Sequence, residues 1–258
     1  MHLELPSLYI PYNFKSVTLN ENCGPSFIPP FARAVEDDDL APMLEAVQKA
    51  IDVDVGILTE GDFYYAMTVM RIMVYKRNPL VARWQCTGGE VFERNDTGER
   101  WTQSHIDAYV TQWNNAEDKE GLIDPNLIML TAVPCNHSNE EVVSVPDLFI
   151  HTLPDPEEAP FQLDPRLDFP RAALIPEAYE LSDSPDHGPF VRVAKWVRDG
   201  KTLFDKIEMV QSDMDLYEAA IDAERKYRHG VTRYIAKTCR ACGNQNTILM
   251  EVKALSFL

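Results

Sequence analysis

Two cysteines separated by two residues, with a glycine directly behind the second, give the 258-residue chain its clearest chemical signal. The run is Cys239-Arg240-Ala241-Cys242-Gly243, preceded by the extended-type stretch from Val231 to Thr238 and followed by another from Thr247 to Val252. A two-residue gap lets both thiolates face one metal across a tight turn, and the glycine lets that turn close. The same spacing serves disulfide exchange, but no strand–helix–strand pattern surrounds it, which argues against thioredoxin-like chemistry. A structural site normally has four ligands. Cys86 ends the strand-like Val81 to Cys86, and Gly89 stands where the second cysteine of its pair would be. The fourth ligand is then sought in Pro134-Cys135-Asn136-His137, where Cys135 and His137 are the two candidates. The expectation is a structural Zn2+ on Cys86, Cys239, Cys242 and either Cys135 or His137. The alternative is a module that keeps its shape by hydrogen bonding and packing, with free thiols.

Other chemistry finds less support. The chain has no Walker A loop, no Gly-x-Gly-x-x-Gly after a strand, no Gly-x-Ser-x-Gly and no His-Glu-x-x-His. Asp52-Val53-Asp54-Val55-Gly56 lacks the third oxygen ligand and the closing Glu of a calcium loop. His2, His105, His151, His187 and His229 show no partner spacing, and His229 beside Gly230 reads as a helix-end residue. Cys23 or Cys135 paired with a distant histidine would be a nucleophile only by folding accident. The chain is therefore expected not to be an enzyme.

Composition narrows the partners. There are 41 acidic against 24 basic residues, a formal charge of −17, and this field repels phosphate backbones. No stretch offers the roughly 18 apolar residues of a membrane span. Met1 to Pro6 has no basic region leading into an apolar one, so no signal peptide is expected. Five cysteines, an odd number, fit a reducing cytoplasm better than a disulfide framework.

The elements that must position the cysteines read as α+β. Helices are expected from Asp39 to Ile51, Thr59 to Tyr75, His105 to Trp113, Phe190 to Val197, Thr202 to Val210 and Ser212 to His229. In the second of these Phe63, Met67, Met70 and Val74 repeat at helical spacing, leaving Thr68 and Arg71 as the main polar face of a buried helix. Val81 to Cys86 and Val91 to Arg94 suggest a hairpin, and Asn95-Asp96-Thr97-Gly98 a second turn. Eleven prolines between Pro125 and Pro189 suggest short strands there, Glu141 to Val145 and Leu148 to Leu153, and no helices. Residues 1–35 read as an extended arm, 36–122 with 190–258 as the main domain, and 123–189 as a proline-rich β insertion. The main domain would pack its helices beside two β-hairpins forming a degenerate zinc-ribbon-like module.

Asp62 to Glu90 and Trp196 to Leu258 together resemble the baseplate hub protein family of T-even-type, contractile-tailed phages. The likeness includes Tyr227-Arg228-His229-Gly230-Val231, Cys239 to Gly243 and the ending Ala254-Leu255-Ser256-Phe257-Leu258. Asp164 to Arg171 is also similar to longer members. Cys86, Cys239 and Cys242 match the family's paired-cysteine positions, and Gly89 departs from them. The resemblance covers about half of the chain. It implies a structural component of the tail baseplate, in hub or wedge, made in the host cytoplasm, carried in the virion, and present in several copies among other baseplate or tail proteins. A transient assembly factor is the alternative within this resemblance; a cellular zinc-ribbon adaptor or an unrecognised enzyme is the alternative outside it.

Overall fold

The computed structural model describes residues 1–8, 14–20, 29–30, 33, 40–74, 79–155 and 157–249. The acidic run Glu36 to Asp39, Cys23, Tyr75 and the ending Ala254 to Leu258 lie outside the described residues, as does much of the expected arm. The fold is mixed helix and sheet. In chain order it runs β1 His2–Glu4, β2 Ser16–Thr18, α1 Ala41–Gln48, α2 Glu60–Val74, β3 Val81–Gln85, β4 Glu90–Arg94, β5 Arg100–Trp101 and α3 Gln103–Asn115. It continues with β6 Leu130–Pro134, β7 Ser138–Val142, β8 Leu148–His151, α4 Ile175–Ser182, α5 Gly188–Ala194, α6 Leu203–Ser212, α7 Met214–Tyr227, β9 Gly230–Thr238 and β10 Gln245–Leu249. The described residues divide into two compact units, the first within Met1–Leu80 and Ser144–Arg233, the second from Val81–Val143 and 234–249. The stretch expected as one insertion is thereby shared, 123–143 in the second unit and 144–189 in the first. Proline density marks where helices start, not where a compact unit ends.

The first unit has two apolar clusters. One gathers β1, β2, α1 and α2, and the described part of the arm packs into it through Leu3, Leu5, Val17 and Leu19. β1 pairs antiparallel with β2, Leu3 opposite Val17, and Leu153 N–H donates to the Pro6 carbonyl. Phe63, Ala66, Met67, Val69 and Met70 of α2 are all buried, so these methionines are core. Thr68 and Arg71 are buried as well, which corrects the expected polar face, and Thr68 Oγ1 turns back to donate to Tyr64 O at 2.7 Å. Gly61, inside α2, has a packing reason: a Cβ there would overlap the backbone of His229, and a Cβ on the next residue, Gly230 at φ +99°, would overlap the backbone of Gly61 in turn.

The other cluster collects α4 to α7 around Trp196, with Leu167, Phe169, Leu203, Ile207, Leu216 and Tyr227. Here the expectation of no helix fails, because α4 lies inside the proline-rich stretch and α5 begins before Pro189. Pro176 and Pro189 sit in the first turns of these helices, where a missing N–H costs nothing and a fixed φ helps. The last long helix is also shifted. Ser212 ends α6, and Asp213 caps α7 by accepting from Leu216 N–H at 3.0 Å.

The second unit carries the cysteines. β3 and β4 do not form a hairpin with each other, which is a second correction. β3 pairs with β7 and β4 with β6, both antiparallel, so 81–94 and 130–142 make one ribbon interrupted in its middle. Two backbone bonds carry the ladder across the interruption, Cys86 N–H to His137 O at 2.9 Å and Cys135 N–H to Gly89 O at 2.8 Å. Four residues, 86–89, face three, 135–137, so the ribbon holds one extra residue there, with Gly88 at φ +78°. Such a bulge bends a strand and re-aims its side chains. The expected second turn is present, joining β4 to β5 through Asn95 to Gly98. β10 pairs antiparallel with the end of β9, Gln245 opposite Thr238.

Candidate metal centre

Each half of the site is a backbone device that turns sulfur atoms inward. In the bent ribbon, Cys86 and Cys135 face the same way from neighbouring strands. In the β9–β10 connection, Cys239 N–H donates to Asn244 O and Gly243 N–H to Cys239 O, both at 2.9 Å, which folds the Cys-x-x-Cys-Gly run into a tight loop. Gly243, at φ +72°, provides the left-handed residue that this loop needs.

The four thiols of Cys86, Cys135, Cys239 and Cys242 come together with all sulfurs within 4.8 Å of one another. Cys86 lies 3.6 Å from Cys242 and Cys135 3.7 Å from Cys239, sulfur to sulfur. A disulfide would need about 2.05 Å. Tetrahedral metal–thiolate bonds of about 2.3 Å place sulfurs roughly 3.8 Å apart. The observed spacing matches the second arrangement, and the cluster can hold a metal ion. Cys86, Cys135 and Cys239 are buried, and Cys242 is partly exposed.

Two asparagines, Asn139 and Asn246, brace the sulfurs, and sequence reasoning missed both. Each lies four residues beyond a cysteine, Asn139 after Cys135 and Asn246 after Cys242, and each is buried. The Asn139 amide donates to Cys239 Sγ at 3.5 Å and to His137 O at 3.0 Å, while its oxygen accepts from Arg240 N–H at 3.2 Å. Asn246 repeats the pattern from the other half, donating to Cys86 Sγ at 3.6 Å and Asn244 O at 3.0 Å, and accepting from Thr87 N–H at 2.9 Å. Each half thus holds one sulfur and one loop amide of the other. The legible signal was the repeated Cys-x-x-x-Asn, with a buried amide on the inward face of β10 where an apolar residue is usual.

The electrostatics of the thiols follow from this geometry. Cys239 is brought down to about 6: burial opposes the thiolate, but the backbone N–H groups of Cys242 and Ala241 and the Asn139 amide overcome it. Burial pushes Cys242 up to about 12, with the neighbouring sulfurs adding to the effect, and burial raises Cys135 as well. The pocket accepts a negative sulfur readily at Cys239 and resists one at Cys242 and Cys135 unless a cation shares the charge.

His137 is exposed and stands outside the cluster; its part is the carbonyl that receives Cys86 N–H. Cys135 and His137 are two residues apart and would share a face of a regular strand, but the interruption between β6 and β7 separates them. Gly89, where a paired cysteine was sought, touches the cluster with its backbone. A Cβ there would overlap Cys242 Sγ and sit 3.2 Å from Cys86 Sγ. Cys135 supplies from the neighbouring strand the sulfur that Gly89 does not.

The first unit contains a cavity of about 470 Å³, lined by Glu60, Tyr64, Arg192, Lys195, Trp196 and His229 among others. Several of its charged side chains are paired with one another. Lys195 Nζ lies 2.5 Å from Glu60, Arg192 Nε donates to Glu224 at 3.0 Å, and Trp196 Nε1 donates to the same carboxylate at 2.8 Å. Thr59 Oγ1 is 2.7 Å from His229 Nε2, yet Thr59 is 1% exposed and its oxygen also caps α2 by accepting from Asp62 N–H. In the rejected calcium loop, Asp54 accepts from Gly56 N–H and Asp52 from Thr18 N–H.

No protein-family model, curated protein or solved structure matches the chain.

Proposed function

We propose that the four cysteines hold one structural Zn2+ and that the chain is a non-enzymatic structural component of a contractile phage tail baseplate, acting through protein–protein interfaces. The observation that carries the metal reading is the closed cluster of four sulfurs; the baseplate reading rests on the resemblance. Four thiolates around one ion complete a tetrahedron and leave no open position for water or substrate, which is the signature of a structural site. An all-sulfur tetrahedron selects zinc or iron over harder cations. Cys86, Cys239 and Cys242 match the paired-cysteine positions of the baseplate hub proteins that the chain resembles, and Cys135 adds a fourth sulfur to them. The bent ribbon and the β9–β10 loop would then be the two halves of a zinc-ribbon-like module.

Two measurements test the proposal. Elemental analysis of the purified chain is expected to give one zinc per chain, and the Cys239→Ser/Cys242→Ser double variant none. Iron in place of zinc, or no metal, would defeat the metal assignment. Quantitative mass spectrometry of purified particles is expected to find the chain in fixed ratio to tail proteins. Its absence from intact particles, with abundance in infected cells, would make it a transient assembly factor. A chain with no phage particle to belong to would return the adaptor and enzyme alternatives.

A further inference from the structure

In the second unit, the 13-residue helix α3 buries none of its residues. A helix of this length is marginal alone and normally draws its stability from an apolar face packed on a neighbour. α3 has such a face: Ile106, Tyr109, Val110 and Trp113 recur at i, i+3, i+4 and i+7, each only partly covered or exposed. What holds α3 is thin. Tyr109 packs its ring 5.2 Å from that of Trp101, and its hydroxyl both donates to Ile123 O and accepts from Ile123 N–H. These bonds fold the loop after α3 back along the helix, where Lys119 Nζ sits 4.5 Å from the centre of the Trp113 ring.

That loop continues the apolar surface. Leu127 is 74% and Met129 72% exposed, the two most exposed large apolar side chains among the described residues, with Ile123 also exposed. Exposed apolar side chains in a loop that folds back on a half-covered helix face mark an interaction site. The same segment, 103–129, carries five carboxylates, Asp107, Glu117, Asp118, Glu120 and Asp124, against one lysine. A second copy of the chain would bring the same acidic rim against itself on top of a net charge of −17, and nucleic acid is repelled for the same reason. An apolar stripe at helical spacing with an acidic rim is complementary to a helix that is apolar on one face and basic around it.

We infer that α3 and the loop following it form a docking surface for a basic amphipathic helix of a partner protein. The inference rests on the reading that the chain works through protein interfaces, and its test needs no phage particle, so the two can fail separately. The zinc-loaded full chain is titrated against a labelled synthetic peptide with leucine on one helical face and lysine on the other. Controls are a scrambled peptide of equal charge and a version with glutamate for lysine. The Leu127→Ser/Met129→Ser variant leaves charge unchanged and alters only exposed side chains. Met214→Ser changes a methionine of similar exposure, 67%, in the first unit. The amphipathic basic peptide is expected to bind, at least about 10-fold more weakly to the double serine variant, a loss of about 1.4 kcal/mol. Met214→Ser is expected to change nothing, and both control peptides to bind more weakly than the amphipathic one. Equal binding of the scrambled peptide, or equal affinity for the double variant, would reduce the effect to bulk charge and overturn the inference. Self-association of the chain that the double variant abolishes would overturn it in favour of a second copy.

Discussion

At Gly89, the backbone meets the sulfur cluster in one α-carbon. Its φ is not in the left-handed region, so an alanine would strain no dihedral; the obstacle is Cys242 Sγ, which the new methyl would overlap. Overpacking of this kind costs roughly 1–3 kcal/mol, and here it acts on a sulfur of the proposed metal tetrahedron. Gly89→Ala is therefore expected to weaken zinc about 10- to 100-fold in competition with a chromophoric chelator. Gly98→Ala is the contrast: Gly98 sits at φ +71° with nothing within 4 Å of a Cβ, so alanine costs about 1 kcal/mol of strain and leaves zinc affinity unchanged. Equal effects of the two substitutions on zinc would remove Gly89 from the site. Only part of this was legible in the sequence. Cys239, Cys242 and Gly243 could be read because their geometry is local, and Cys86 because a strand and turn surround it. The choice between Cys135 and His137 depends on where the ribbon breaks its alternation. That break is set by the pairing of two distant strands, which no spacing along one of them reveals.

Among the elements, the helices were legible where one face repeats for several turns, as in α2 and α7, and obscure where prolines or polar strands intervene. β7 reads Ser138-Asn139-Glu140-Glu141-Val142, too polar for strand propensity to mark it, and it exists because Trp84 and its neighbours in β3 lie opposite. The boundary between α6 and α7 makes the point measurable. Ser212 and Asp213 both have N-cap chemistry, but Ser212 Oγ donates back to Glu208 O at 2.8 Å while Asp213 accepts from Leu216 N–H. Asp213→Ala is expected to destabilise α7 by about 1 kcal/mol, read from native-state hydrogen exchange of its amides. Ser212→Ala should stay within about 0.5 kcal/mol. Asp213 also accepts from Arg166 Nη1 at 3.0 Å, and Asp213→Asn separates the two roles, keeping the cap while removing the charge. A larger loss from Ser212→Ala than from Asp213→Ala would place the cap on the wrong residue.

Across the whole molecule, the two units are built on different kinds of core. The first buries Phe63, Met67, Met70, Trp196, Leu203, Ile207 and many more in its two apolar clusters. The cysteine-centred cluster of the second consists of Cys86, Val91, Cys135 and Cys239, with Val133, Ala241 and Cys242 packed against it. Four of those seven side chains are thiols, so the apolar contribution around the cysteines themselves is small, and the rest of the unit adds only a few buried apolar side chains such as Trp101, Val143 and Ile235. Small cores are stabilised by metals or disulfides, and a closed zinc site contributes on the order of 10 kcal/mol of apparent folding free energy. Metal removal should therefore act on one unit. After treatment with a strong chelator under reducing conditions, amides in 81–143 and 234–249 are expected to lose hydrogen-exchange protection, while α2, α6 and α7 keep theirs. Re-addition of Zn2+ should restore protection in the second unit. Uniform loss across the chain would mean that the metal supports both units, and unchanged exchange would mean that hydrogen bonding and packing hold the cysteine cluster without it. The expected pattern would also bear on docking, because α3 buries nothing of its own and follows β5 in the unit that the proposed metal would hold together. A chelated chain should then lose the peptide along with the zinc.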